Sequence, residues 1–233
     1  MKKNIIITGA SSGLGKEIGK KFLKEKYNII NISRRMSKNF DSYQCDLHDY
    51  NQVLKTIKKL KSKYKNIDQV IFCAGKSNFK NLDLTDTWNR SIQDNLFSVV
   101  FLFEIFTKIF SLKNKKFIII SSIAAEKLLL DAPVEYSVAK SALNHFGKIT
   151  SKKIAQNNSS LNIISPGNIL IKKNNWDKRL NKSRLKTLSY IKQNVPSNKF
   201  CKAEEIFDVI KVLLNKKNNF IGSNIIMDGG QSL

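Results

Sequence analysis

The sequence has few cysteines and no long uninterrupted hydrophobic run. Its 233 residues include only Cys45, Cys73 and Cys201, an odd number without close spacing. These cysteines predict neither a disulfide framework nor a zinc site, and they favour a reducing compartment. The most apolar stretch, residues 96–110, is interrupted by charged side chains and is shorter than the roughly 18 residues of a membrane span. We therefore expect no metal and no membrane segment.

The beginning of the chain leaves no room for a signal peptide. Met1, Lys2 and Lys3 lead directly into an apolar run, without a separate hydrophobic segment and cleavage site. The expected location is therefore cytoplasmic.

Acidic residues are also scarce, since 18 Asp and Glu stand against 41 Lys and Arg, giving a net charge of +23. A strongly basic chain raises the hypothesis of nucleic-acid binding. However, the charge is mostly lysine scattered over every predicted helix, whereas phosphate and base recognition favours clustered arginine. We expect no nucleic-acid partner.

A glycine-rich turn follows the first predicted strand. Three isoleucines, residues 5–7, are typical of a strand buried on both faces, and Gly9, Gly13 and Gly15 follow. Glycines let the backbone approach a pyrophosphate, and the start of the next helix offers free N–H groups. The turn predicts a dinucleotide site, with a purely structural turn as the alternative. The expected contacts are Thr8, Gly9, Ser11, Ser12, Gly13, Leu14 and Gly15.

The second predicted strand ends in Ser33, Arg34 and Arg35. An acidic residue at this point selects NAD by binding the adenosine ribose, whereas arginine accepts the 2′-phosphate of NADP. The arginine pair therefore predicts a preference for NADP(H) over NAD(H). A solvated pair at a strand end is the alternative.

The third and fourth predicted strands supply further cofactor candidates. Asp46, with Leu47 after it, is placed either to accept from the adenine amino group or to cap the next helix. The fourth strand ends in Cys73, Ala74 and Gly75, whose small side chains suit a surface along a flat cofactor.

Polar residues also follow the later strands. A long helix over residues 85–111, with Thr85 as a possible cap, carries Asn95 within an apolar segment. The fifth strand ends in Ser121 and Ser122, at the edge where open α/β sheets bind ligands. On the helix over residues 134–157, Tyr136 and Lys140 share one face because they are four residues apart. The sixth strand ends at Pro166 and Gly167, which are further candidates for cofactor binding together with Tyr136 and Lys140, and a seventh strand covers residues 224–227.

This alternation predicts one α/β domain over residues 1–233. The expected architecture is a Rossmann-like, doubly wound parallel sheet of seven strands with helices on both faces. Residues 168–200 are polar and only weakly helical, so we interpret them as an irregular insertion that forms a substrate lid.

In their order and spacing, the motifs resemble those of the short-chain dehydrogenase/reductase family, and in particular its 3-oxoacyl-(acyl-carrier-protein) reductase-like members. The resemblance covers essentially the whole chain, from the glycine turn to Asp228-Gly229-Gly230. It implies that Tyr136 donates a proton and that Ser122 holds the substrate oxygen, with Ser121 as its rival. Lys140 would lower the phenol pKa and bind the nicotinamide ribose, and Asn95 would complete a proton relay through water.

Two positions depart from the family pattern. Phe72-Cys73 replaces a pair of asparagines, which removes a side chain that steadies the central strands. Ile171 stands where a threonine commonly bonds the nicotinamide carboxamide, so backbone groups of Ile169 are expected to replace it.

The predicted function is NADPH-dependent reduction of a ketone on a small-molecule substrate, possibly a 3-oxoacyl thioester held on an acyl carrier. The alternatives are reduction of a keto sugar or other polar ketone, and a regulatory protein that binds the cofactor without turnover. An apolar side of the site is expected from Leu128, Leu129, Leu130 and Trp176. Anionic substrates or carriers would meet Lys172, Lys173, Lys178, Arg179 and Arg184.

The apolar helix also predicts self-association. Phe97, Val100, Phe101 and Phe103 carry more hydrophobic surface than one sheet face covers, so we expect a homo-oligomer, a tetramer or a dimer.

Overall fold

The computed structural model describes residues 2–79, 81–215 and 217–233 and consists of one seven-stranded sheet with helices on both faces. The strand order is β3-β2-β1-β4-β5-β6-β7, and every neighbouring pair is parallel. The predicted fold class is therefore confirmed. The strands are β1 Asn4–Thr8, β2 Asn28–Ser33, β3 Asp41–Gln44, β4 Gln69–Phe72, β5 Lys116–Ile120, β6 Ser160–Pro166 and β7 Asn224–Met227. The helices are α1 Gly13–Lys24, α2 Tyr50–Lys63, α3 Leu84–Ile92, α4 Ser98–Ile109, α5 Val134–Ile154, α6 Asn175–Lys182, α7 Arg184–Asn194 and α8 Ala203–Leu214.

The central strand β1 is buried on both faces, because its isoleucines alternate between two hydrophobic cores. Ile6 packs with α2, α4 and α5 on one face, whereas Ile5 and Ile7 pack with α1 and α8 on the other. The chain reverses its winding direction between β1 and β4, which opens a crevice at the carboxyl ends of these strands. This crevice positions the candidate site.

The long helix predicted over residues 85–111 is interrupted. One π-helical turn, Gln93–Phe97, separates α3 from α4 and contains Asn95. The cap is Asp83 and not Thr85, because the Asp83 carboxylate accepts from the backbone N–H of Asp86. Single π-turns inside helices occur frequently at functional sites, where they redirect a side chain.

Residues 168–200 differ most from the expectation of an irregular segment, because they contain the two helices α6 and α7. Asn174 caps α6 by accepting from the N–H of Asp177. Neither helix has a wide apolar face, since no residue of α6 is buried and only Thr187 and Ile191 of α7 are. Hydrophobic periodicity is therefore weak there, which explains why the sequence pattern did not reveal the helices.

In the parts of the chain that the structure describes, no helix is both long enough and apolar enough to cross a lipid bilayer.

Candidate functional site

The first cavity lies at the carboxyl ends of β1, β2 and β4 and has a volume of about 340 Å³. It collects most of the cofactor residues expected from the sequence, and in addition it includes side chains that the sequence analysis did not select. The expected lining residues are Gly9, Ser11, Ser12, Gly13, Gly15, Ser33, Arg34, Arg35, Asp46, Leu47, Cys73, Ala74 and Gly75, and the additional ones are Cys45, His48, Lys76, Asp94 and Ser98.

The floor of this cavity is backbone that leaves no room for side chains. A Cβ atom on Gly15 would lie 2.9 Å from the carbonyl oxygen of Gly9, and one on Gly9 would lie 3.1 Å from Cα of Ala74. Gly9 also has a φ of +70°, a conformation that favours glycine. The free N–H groups at the start of α1 complete a site with the shape and donors that a diphosphate requires.

Thr8 is not among the residues that line this cavity, but its side chain supports the backbone that forms the cavity floor. Its hydroxyl oxygen accepts from the backbone N–H groups of Cys73 and Ala74, both at 2.9 Å. This bridge from β1 to the end of β4 steadies the central strands where the asparagine pair of the family is absent.

Both arginines after β2 line the cavity but have different partners. Arg35 donates to the hydroxyl of Ser12 at 3.0 Å, which places its guanidinium beside the glycine turn. Arg34 lies 3.7 Å from a carboxylate oxygen of Asp94. Both guanidiniums therefore border the cavity with a polar partner each, and the charge of Arg34 is partly balanced by Asp94.

A charged cluster in this cavity was missed by the sequence analysis. Asp94 is buried, and one of its oxygens lies 3.3 Å from Nε2 of His48, which in turn lies 2.9 Å from Asp46. The other oxygen of Asp94 has no hydrogen-bond partner among the described residues. The alternative role of Asp46 as a helix cap is wrong, since Asp49 caps α2 by accepting from the N–H of Gln52. The only sequence signal for Asp94 was a second polar residue beside Asn95.

A second cavity of about 670 Å³ continues from the first, and Cys73, Gly75 and Lys76 line both. It contains the expected catalytic residues Ser122, Tyr136 and Lys140, and also the rival Ser121. Leu14, Gly167 and Ile169, which were expected at the cofactor, line this second cavity, whereas Pro166 is buried at the end of β6 and lines neither. The two cavities together form one elongated site along the strand ends.

Tyr136 and Lys140 lie on one face of α5, as their spacing predicted, and the Lys140 ammonium is 5.8 Å from the centre of the Tyr136 ring. Lys140 is buried and donates to the carbonyl oxygen of Ile120 at 3.1 Å. Burial lowers the pKa of Lys140 to about 8, opposed by the nearby Cys73 thiol. The sequence predicted a lowered phenol pKa, but burial raises the pKa of Tyr136, opposed by a hydrogen bond with Ser122.

The two candidate serines differ in their partners. Ser122 accepts from the backbone N–H of Ala124 at 3.2 Å and, against the effect of burial, lowers the pKa of Tyr136, whereas the buried hydroxyl of Ser121 has no hydrogen-bond partner among the described residues. Ser122 is therefore the serine that neighbours the phenol.

Asn95 is fully buried and fixes the segment after β4. Its side-chain oxygen accepts from the N–H of Lys76 at 3.0 Å, and its amide donates to the carbonyl of Lys76 at 2.8 Å. A Cβ atom on Gly75 would meet both this oxygen and the Lys140 ammonium, so Asn95 lies close to Lys140.

The loop after β6 leaves several backbone donors without a hydrogen-bond partner among the described residues, namely the N–H groups of Asn168, Ile169 and Ile171. The carbonyl of Ile169, by contrast, accepts from the side chain of Asn174. The Ile169 N–H is therefore available for the role expected of it in place of the threonine that Ile171 replaces.

The substrate side of the second cavity is less apolar than expected. Leu129 and Trp176 line it, but the side chains of Leu128 and Leu130 are 96% and 101% exposed and point to solvent. Of the five expected cations, Lys178 and Arg179 line this cavity. Lys172 and Lys173 line a neighbouring groove, and Arg184 lines none of these three cavities.

A glycine cradle for a dinucleotide, joined to a cavity with a Ser, Tyr and Lys set, defines a nucleotide-dependent oxidoreductase of the α/β class. Comparisons with known proteins agree with this class. Residues 3–182 match the model of the short chain dehydrogenase family. The chain is 31% identical to the 3-oxoacyl-[acyl-carrier-protein] reductase FabG of Buchnera aphidicola subsp. Schizaphis graminum, over 98% of this chain and 97% of that protein.

Solved structures show the same fold. ElxO with NADP bound has a TM-score of 0.89 and 26% identity, with 99% of each chain covered. The aldohexose dehydrogenase of Thermoplasma acidophilum has a TM-score of 0.87 at 22% identity, with 99% of this chain and 94% of that chain covered. The chain therefore belongs to the short chain dehydrogenase family. It is an oxidoreductase that acts on CH–OH or C=O groups.

Proposed function

We propose that this protein is an NADPH-dependent carbonyl reductase. The observation that carries the proposal is the Tyr136 phenol, which lines the second cavity together with Ser122 and lies beside the buried ammonium of Lys140. A bound NADPH would supply the hydride to the carbonyl carbon. As the C=O bond is reduced, its oxygen gains negative charge, which a positioned proton donor neutralises.

Each residue has a distinct part in this proposal. Ser122 and Tyr136 hold the ketone oxygen, and Tyr136 transfers its phenolic proton to that oxygen as the alcohol forms. The raised pKa of Tyr136 keeps the phenol protonated at neutral pH. Lys140 stabilises the phenolate that remains and is placed for the nicotinamide ribose, while Asn95 holds the neighbouring backbone and supports a proton relay through water.

The glycine turn has the shape that a dinucleotide cofactor needs. A Cβ atom on Gly15 would lie 2.9 Å from the Gly9 carbonyl oxygen, so a side chain there would open the turn, and Arg34 and Arg35 line the cavity proposed for a 2′-phosphate. The Ile169 N–H is the proposed donor to the carboxamide. These features support NADP(H) over NAD(H).

The favoured substrate is a 3-oxoacyl thioester on an acyl carrier, because the FabG relative has this substrate class in its name and aligns over nearly its whole length. We also propose that residues 168–200, with α6 and α7, form the substrate lid. The polar lining of the second cavity, which includes Ser77, Asn78 and Asn175, favours a polar ketone or keto sugar as the second candidate.

The test replaces Tyr136 with Phe, which removes the proton donor and keeps the ring. We expect unchanged NADPH binding and a loss of turnover of about 100-fold or more. Tyr190→Phe, which removes a phenol elsewhere in the same cavity, is the matched control and is expected to retain most turnover. Full activity of Tyr136→Phe would contradict the mechanism, and an acetoacetyl thioester compared with keto sugars decides the substrate class.

We also propose a homo-oligomer, a tetramer or a dimer, in a cytoplasmic setting that the three free thiols support. Phe97 is 40% exposed and stacks on Phe101, with ring centres 5.5 Å apart. Phe103, expected in the same surface, instead packs in the core. Light scattering at micromolar concentration tests this proposal, and a monomer would contradict it.

A further inference from the structure

One arginine in the second cavity is held in place and yet has its donors free. The guanidinium of Arg179 lies 4.6 Å from the centre of the Trp176 ring and 5.2 Å from that of Tyr190. The two rings are themselves in contact, with centres 5.4 Å apart. Stacking on two aromatic rings fixes the plane of a guanidinium and leaves its N–H groups available.

No hydrogen bond or ion pair occupies the Arg179 side chain among the residues that the structure describes. Arg34 and Arg90, by contrast, lie within 3.8 Å of Asp94, and Arg35 donates to Ser12. A cation without a protein partner, in a cavity that also holds the catalytic phenol, has the character of a recognition group.

A carboxylate in the same cavity does not neutralise this cation. Asp131 lines the cavity, but it forms no ion pair with Arg179 among the described residues, and both groups act on Tyr190. Burial raises the pKa of Tyr190, the charge of Asp131 raises it further, and Arg179 lowers it. The Tyr190 phenol is thus close to both charges.

We propose that Arg179 is a specificity residue that binds an anionic group of the substrate, a carboxylate or a phosphate, while Ser122 and Tyr136 hold the ketone. A guanidinium matches both anions with two parallel N–H donors. The inference rests on the proposed reductase function and adds the substrate class. Trp176 and Tyr190 position the guanidinium.

The kinetic test uses two substrate pairs that differ in charge but share the 3-oxo group. Acetoacetate is compared with its methyl ester, and acetoacetyl-coenzyme A with the acetoacetyl thioester of N-acetylcysteamine. We expect kcat/KM to favour the anionic member of at least one pair by about tenfold or more. The pair that responds distinguishes a carboxylate from a carrier phosphate.

Variants of Arg179 distinguish a loss of anion recognition from a general loss of activity. Arg179→Gln is expected to abolish the anionic preference, mainly through KM, and to keep the neutral substrates within about threefold. Arg179→Lys should retain part of the preference, because it keeps the charge and loses the planar fork. Arg184→Gln removes an equal charge outside the cavities and is the matched control. An equal fall for both members of each pair, or an unchanged preference in Arg179→Gln, would overturn the proposal.

A binding measurement keeps the inference testable if neither ketone pair is reduced, an outcome that would count against the proposed function alone. The chain has two tryptophans, so in a Trp88→Phe protein the fluorescence comes from Trp176, under the Arg179 guanidinium. In the presence of NADP⁺, acetoacetate or acetoacetyl-coenzyme A should change this fluorescence, and their neutral partners should not. Loss of the difference in Arg179→Gln supports the proposal, and the absence of any difference before that substitution refutes it.

Discussion

The cofactor side and the substrate side of the site are built by different means. The proposed cofactor side has a floor of backbone at strand ends, where a Cβ atom on Gly9 or Gly15 would meet neighbouring backbone. The proposed substrate side takes part of its lining from side chains on α6 and α7, which together bury only Thr187 and Ile191. A site made of backbone depends on the fold itself, whereas a site made of exposed side chains changes without disturbing the fold.

The largest expected effect comes from the residue that joins the two sides. Lys140→Met should reduce turnover by about 1,000-fold, because the cation beside the phenol is lost. The same substitution should raise stability at neutral pH, since it removes a charge that burial disfavours. The control Lys148→Met removes an exposed cation from α5 and should change neither property strongly.

The pH dependence of that stability difference tests the physical cause. The pKa of Lys140 is about 8 when folded and 10.5 ordinarily, so the unfolded chain binds more protons between these values. Stability therefore rises with pH across this window, and the destabilising effect of the buried charge is complete only below pH 8. Thermal unfolding at about pH 7 and about pH 9.5 should show the advantage of Lys140→Met shrinking at the higher pH. A constant advantage would contradict this assignment.

A side chain introduced into the glycine turn after β1 tests the proposed cofactor side alone. In Gly15→Val the new Cβ atom would lie 2.9 Å from the Gly9 carbonyl oxygen, which cannot move without opening the turn. We expect NADPH affinity to fall by about 100-fold. Gly147→Ala is the control, because its Cβ meets the flexible Ile163 side chain away from the site, so stability changes but the Kd for NADPH does not. Equal affinity in Gly15→Val would show that the cradle does not hold the cofactor.

The charge of the cofactor side is tested next, with a smaller expected effect. Arg35→Gln should weaken NADPH binding by about tenfold and leave NADH binding nearly unchanged, because the cofactors differ only in the 2′-phosphate. Lys38→Gln, an exposed cation near the same strand end, is the control. Comparable Kd values for the two cofactors before any substitution would contradict the proposed NADPH preference.

The contrast between the cofactor side and the substrate side also explains which features could be predicted from the sequence. The seven parallel strands and the positions of Gly9, Tyr136 and Lys140 on their elements follow from local patterns, namely apolar runs, glycine spacing and an i, i+4 pair. The Asp94 and His48 contact joins elements far apart in the chain and has no periodic signature. The solvent-facing direction of Leu128 and Leu130 depends on the path of a loop, which hydrophobicity alone does not determine. The cofactor side was therefore predictable in outline and the substrate side was not.

The smallest expected effect concerns Asp94, the buried carboxylate on the cofactor side. Its charge lies in the cavity proposed for the 2′-phosphate and 3.7 Å from Arg34, so it both repels the phosphate and competes for the guanidinium. Asp94→Asn keeps the shape, and because Arg34 is half exposed, its charge stays hydrated when the partner is lost.

We therefore expect Asp94→Asn to tighten NADPH binding by about two- to fivefold, with a smaller change for NADH, and the gain should diminish as salt screens the charges. Asp86→Asn removes an exposed carboxylate from the first turn of α3 and should change neither affinity. Weaker NADPH binding in Asp94→Asn would show instead that Asp94 positions Arg34 for the phosphate. The substitution thus determines whether the buried charge opposes or organises cofactor selection.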